Sequence, residues 1–128
     1  MIFFLAMTSF TALSQDWIIA GKDADGVYLI KKHSQNSSKI WSKYVSKKLK
    51  YSKNSKTLYT SGYSMCLFDI DCADRKIDLR SSTTYSNDGR VLSSFQMEDY
   101  DVNWEEVVPE SVGEMILNKA CLLLNPNE

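Results

Sequence analysis

Histidine is almost missing from this sequence: His33 is the only one in 128 residues. One histidine cannot supply a histidine metal site, and no Ser–His–Asp motif surrounds it. It stands beside Lys31 and Lys32 at a strand-like end and reads as a solvated side chain. Acidic residues are absent over a long stretch. From Gly26 to Phe68 there is no Asp or Glu, and there are nine lysines. The deficit is reversed beyond it, with thirteen acids against five bases from Asp69 to Glu128, so the formal net charge of −1 conceals two opposite halves. After the N-terminal segment no apolar run is long enough to cross a bilayer. Repeats and low-complexity segments are lacking too. Alanine is scarce while tyrosine (seven) and phenylalanine (five) are plentiful, a balance that favours strands. The length corresponds to one domain with a modest core.

Residues 1–14 read as an export signal. Ile2 to Met7 form an apolar core of signal-peptide length, and Ala12-Leu13-Ser14 is a small-x-small cleavage site that would leave Gln15 at the mature N-terminus. No Lys or Arg precedes the apolar run. The alternative is a buried first strand. No cysteine follows the cleavage site, so a lipid anchor is not expected. The mature chain, 15–128, is then one exported domain, periplasmic or secreted to the cell surface, in a compartment that permits disulfides.

Along that domain, Trp17–Ala20 and Val27–Ile30 read as strands around the turn Lys22–Gly26. Ile40–Val45 fits a strand or one side of a helix, and its aromatic and β-branched content favours the strand. Lys47–Lys56 reads as a mobile polar loop. From about Leu58 to Cys72 the chain alternates, with Cys66, Phe68, Ile70 and Cys72 on one face and Leu67, Asp69 and Asp71 on the other. Lys76–Tyr85 and Arg90–Met97 flank Ser86-Asn-Asp-Gly89, a hairpin signal. Glu98–Asn103 reads as an acidic loop. Ser111 and Glu114 form a capping box before the helical spacing of Val112, Met115, Ile116, Ala120, Leu123 and Leu124. The expected class is α+β: an antiparallel sheet of about six strands with one C-terminal α-helix packed on one face. Cys121 on that helix could tie it to a strand cysteine.

The ordered set Trp41, Asp71-Cys72, Arg75, Tyr85 with Gly89, Trp104, Pro109 to Glu114 and Cys121 resembles the bacterial surface-adhesin protein E family over Trp17 to Leu124. The resemblance implies a helix held to the sheet by a Cys72–Cys121 disulfide, and a tendency to dimerise. It also implies binding of host matrix and serum proteins such as laminin, vitronectin and plasminogen. Many relatives are exported proteins without a known role. The chain departs from the namesake in lacking a lipid-attachment cysteine.

Cys66 lies on the same strand face as Cys72 but about 20 Å away by strand rise. It reads as a small buried hydrophobe. Asp69, Asp71, Asp74 and Asp78 read as the polar face of a strand and a turn, because no calcium-loop pattern surrounds them. Asp71 and Arg75 are expected to form a local ion pair. Trp41 and Trp104 read as core anchors. Lys43, Lys47, Lys48, Lys50, Lys53 and Lys56, interleaved with Tyr44 and Tyr51, are the candidate contact residues for a polyanion or an acidic protein; the plain alternative is a solvated loop. Opposite charge patches also permit head-to-tail self-association. Export argues against nucleic acid. No cofactor, metal or catalytic constellation is expected. The functional expectation is an exported, non-enzymatic binding protein with a protein partner. The alternative is a periplasmic accessory protein that binds another envelope component.

Overall fold

In the computed structural model, residues 17–126 are described. The export segment and its cleavage site lie outside them. Six strands follow one another in the sheet in chain order: β1 (Ile18–Lys22), β2 (Gly26–Lys32), β3 (Lys39–Lys53), β4 (Lys56–Asp71), β5 (Lys76–Ser86) and β6 (Val91–Gln96). Every neighbouring pair is antiparallel. A two-residue strand, β7 (Glu105–Glu106), pairs with the start of β5. The helix α1 (Val112–Leu124) closes the described chain.

Strand alternation decides which side the helix covers. Ile30, Ile40 and Ile70 point to one face and are buried against Ile116, Leu117 and Ala120 of α1, with Ala20 completing the core. Each buried Ile or Leu contributes about 1.5–3 kcal/mol. Ser111 caps the helix by accepting the Glu114 N–H at 3.2 Å, while Glu114 accepts the Glu110 N–H at 2.9 Å. The capping box is therefore formed, with its return bond one residue earlier than the usual pattern. Cys72 and Cys121 are bridged, with Cα atoms 5.8 Å apart. The fold class, the helix limits and this pairing agree with expectation. Leu117, fully buried, was not among the expected core positions; its i+3 spacing to Ala120 carried the signal.

Several expectations are corrected. Lys47–Lys56 is not a loop but the outer half of β3, a two-residue turn and the start of β4. Asn54 and Ser55 both have positive φ, 53° and 66°, as a tight hairpin turn of the primed type requires. The alternation was hidden by a bulge. Lys47 and Lys48 stand where the register jumps from Ser46↔Gly62 to Leu49↔Thr60, so Leu49 rather than Lys48 continues the inner face. At Gly62 a Cβ would come within 2.1 Å of the Tyr85 carbonyl oxygen, so β4 and β5 meet there without a side chain between them. Arg75 does not pair with Asp71. It reaches Glu114 at 3.4 Å and Asn118 at 2.9 Å, while Asp71 accepts the Asp74 N–H. Trp104 is 39% exposed rather than a core anchor. The Asn103 N–H is tied to Asp78 and Glu105 pairs with Ile77, which leaves the indole at the sheet margin. Cys66 is half-buried and donates to Ser82 Oγ at 3.4 Å.

Candidate functional site

The candidate lysines lie on the β3–β4 hairpin, and the topology divides them. β2 covers β3 only as far as Ser46, and β5 covers β4 only down to Gly62. Past those points the two strands pair with each other alone. Lys47 to Lys53 make about seven residues of ribbon, roughly 20 Å by strand rise. Lys47, Lys48, Lys50, Lys53 and Lys56 are all exposed along it. None forms an ion pair among the described residues. Lys53 and Lys56 are direct cross-strand partners. Like charges placed opposite each other are unfavourable, so the hairpin tip holds repulsion that an anionic ligand would relieve. Tyr59, 58% exposed, stands directly across from Lys50 and adds an aromatic surface to the cations. Nearby Asp88 is engaged by Arg90 at 3.1 Å. The Ser86 hydroxyl and then the Arg90 guanidinium hold its carboxyl below the ordinary aspartate range, so it stays charged and committed.

Lys43 is different. It lies within the sheet body, half-buried on the face turned away from α1, with Nζ 4.8 Å from the Tyr63 ring and 5.5 Å from the Trp17 ring. The structure therefore gathers five of the six candidate lysines and sets Lys43 apart. Among the carboxylates, Asp69 bonds Ser38 and Lys39, and buried Asp78 pairs with Arg80 at 2.8 Å. Each has a structural partner. No group of three His, Cys, Asp or Glu among the described residues could hold a metal ion. His33 lies 5.8 Å, ring to ring, from Trp41.

The sheet, its tethered helix and the acid-free hairpin can be set beside known families. The family model for surface-adhesin protein E matches residues 17–122, which is most of the chain and all of its sheet. The chain belongs to the surface-adhesin protein E family. No curated protein and no solved structure gives a significant match. Membership makes this a surface adhesin-like protein, and the family implies a protein partner in general terms. No helix among the described residues is long and apolar enough to cross a membrane. As a protein E family member, the chain presents chemistry suited to contact: repeated ammonium groups, aromatic rings between them, and a rigid strand backbone beneath. Such a surface attracts an anionic partner over about a Debye length and then holds it by short ion pairs.

Proposed function

We propose that the protein is exported and acts as a non-enzymatic binding protein whose outer β3–β4 hairpin contacts an anionic partner. The observation that carries this reading is the ribbon itself: five exposed lysines, no acid, and two lysines held face to face at its tip. Family membership supports a surface role. The partner class is a host matrix or serum protein such as laminin, vitronectin or plasminogen, reached through an acidic or sulfated surface. Residues 1–14 act as the signal, 15–128 as the single mature domain, and the mature protein associates with itself. Nucleic acid, a lipid anchor and a cofactor have no part in this reading. The second reading is a periplasmic accessory protein binding another envelope component. It is favoured by the lack of a lipid-attachment cysteine after Ser14.

The hairpin is tested by reversing Lys47, Lys48 and Lys50 to Glu. Binding of the purified protein to immobilised heparan sulfate should fall steeply in the variant. In the unaltered protein it should weaken as salt rises. Thermal stability should stay within about 0.5 kcal/mol, because the three side chains are exposed. Equal binding by the variant would remove the hairpin from the function. Fractionation separates the two readings: protein beginning at Gln15 on the cell surface favours adhesion, and a soluble periplasmic pool favours the accessory role.

A further inference from the structure

Two clefts outside the outer hairpin share part of their walls. One, of about 620 Å³, lies where the β2–β3 loop, the end of β4 and the end of α1 meet; Gln35, Asn36, Asp71 and Asn125 line it. The other, of about 400 Å³, lies where β4 and β5 meet the segment after β6; Leu67, Arg80, Ser81, Gln96 and Val102 line it. Trp104 and Asp69 belong to both, so the two form one groove with the indole at its junction. β4 supplies the floor. Leu67, Asp69 and Asp71 alternate on one face of that strand and span about 13 Å, room for an extended ligand.

The walls are fixed in advance. β5 carries a bulge beside the groove: the register passes from Leu67↔Ser81 to Phe68↔Leu79, so Arg80 is the extra residue. Asp78, Arg80 and Ser81 therefore all line one cleft, which unbroken alternation would forbid. Asp78 is 3% exposed. Its Oδ2 takes both protein bonds, from Arg80 at 2.8 Å and from the Asn103 N–H at 3.3 Å, which leaves Oδ1 for a ligand. Arg80 also donates to the carbonyls of Glu98 and Asp101, each at 2.7 Å. A buried ion pair is a poor source of stability. This one holds the segment before Trp104 against β5. The indole thus stands on a rigid base, and a ligand need not order the wall it meets.

The lining selects the ligand. Three lysine or arginine side chains and four aspartates line the groove, and Lys39–Asp69 and Arg80–Asp78 are closed ion pairs within it. The walls are close to neutral, unlike the hairpin, and favour neither a polyanion nor a polycation. β4 is paired on both sides from Leu67 to Asp69, so it offers no strand edge to an extended peptide. Recognition falls to side chains. The amides of Gln35, Asn36, Gln96 and Asn125 each carry donor and acceptor in one plane, which matches adjacent hydroxyls. Trp104 adds a π-face on which the C–H face of a sugar ring stacks. We propose that this groove binds a neutral oligosaccharide, with one ring on Trp104 and its hydroxyls on the amides and Asp78 Oδ1. None of Lys47 to Lys56 lines the groove except at no point near Trp104, so the site stands or falls separately from the hairpin.

The test is titration of the intact protein with four neutral tetrasaccharides: chitotetraose, cellotetraose, maltotetraose and lacto-N-neotetraose. Binding is followed in nitrogen–proton correlation spectra. The chain has three tryptophans, and Trp104→Phe identifies the indole signal of Trp104. At least one sugar should shift that signal saturably. Chitotetraose has the chemistry of a bacterial wall strand and lacto-N-neotetraose that of host glycans, so the sugar that binds tells the source. Affinities are read from backbone amide shifts. Trp104→Ala should weaken binding by about tenfold, and Gln96→Ala and Asn125→Ala by about fivefold each. If Trp104→Ala fails to fold, the two amide variants carry the test. Protein with Lys47, Lys48 and Lys50 reversed to Glu should bind the sugar unchanged. No shift with any of the four, equal binding by the folded groove variants, loss of binding in the hairpin variant, or binding of capped neutral tetrapeptides in place of sugar would each overturn the proposal.

Discussion

Tyr44 stacks on Tyr28 with ring centroids 4.2 Å apart, and its hydroxyl donates to the Asp23 carboxylate at 3.1 Å. Asp23 also accepts the N–H groups of Asp25 and Gly26, so one carboxylate organises the β1–β2 turn and ties it to β3. Burial raises both phenols above their ordinary value of 10.0, and Asp23 adds to the effect by disfavouring a second negative charge. A phenol whose pKa is raised by folding stabilises the fold while protonated. Its contribution is complete below pH 10 and is lost as pH climbs through the raised value. Tyr44→Phe should therefore cost about 0.5–1.5 kcal/mol at neutral pH. It should also flatten the alkaline fall in stability, read as urea midpoints across that range. A fall as steep as in the unaltered protein would assign it to other groups. Nothing in the sequence placed Tyr44 beside Asp23: the two are 21 residues apart and meet only through the β2–β3 register.

At the scale of elements, α1 depends on its attachment. It has 13 residues with Gly113 in the first turn, a length that is marginal for an isolated helix in water. The Cys72–Cys121 bridge closes a span of 49 residues, worth about 3–4 kcal/mol. Cys72→Ser and Cys121→Ser should each cost about 2–5 kcal/mol, and the double variant about the same as either, because both remove one bond. Hydrogen exchange should show α1 opening first; additive losses would mean that the cysteines act separately. The helix was legible in the sequence because its cap and its spacing lie within one short stretch. The Ser86–Gly89 hairpin was legible for the same reason, and Gly89 takes a φ of 87° as that turn needs. The outer half of β3 was not. Its bulge reverses the parity of the strand, and a period of two cannot be followed through such a break. Two-residue β7 was also invisible, since its pairing with Lys76 and Ile77 is a long-range choice of the fold.

For the whole molecule, the split in charge along the chain becomes a split in space. The acid-free stretch builds β2, β3 and most of β4, while the acids lie in the turns, at the joined ends of β4 and β5, in the segment beside β5 and β6, and at the start of α1. Composition revealed the split but not its partition, which puts Lys43 on the sheet face and the other five lysines on the free ribbon. We propose this ribbon as the contact surface of a protein E family member. Its most direct test is adherence of intact cells to a laminin or vitronectin surface. Cells carrying the unaltered protein would be compared with cells carrying Lys47→Glu, Lys48→Glu and Lys50→Glu together, at equal surface amounts verified by antibody. With the three lysines reversed, adherence should drop to the level of cells lacking the protein. Full adherence by the reversed variant, at equal surface amount, would contradict it.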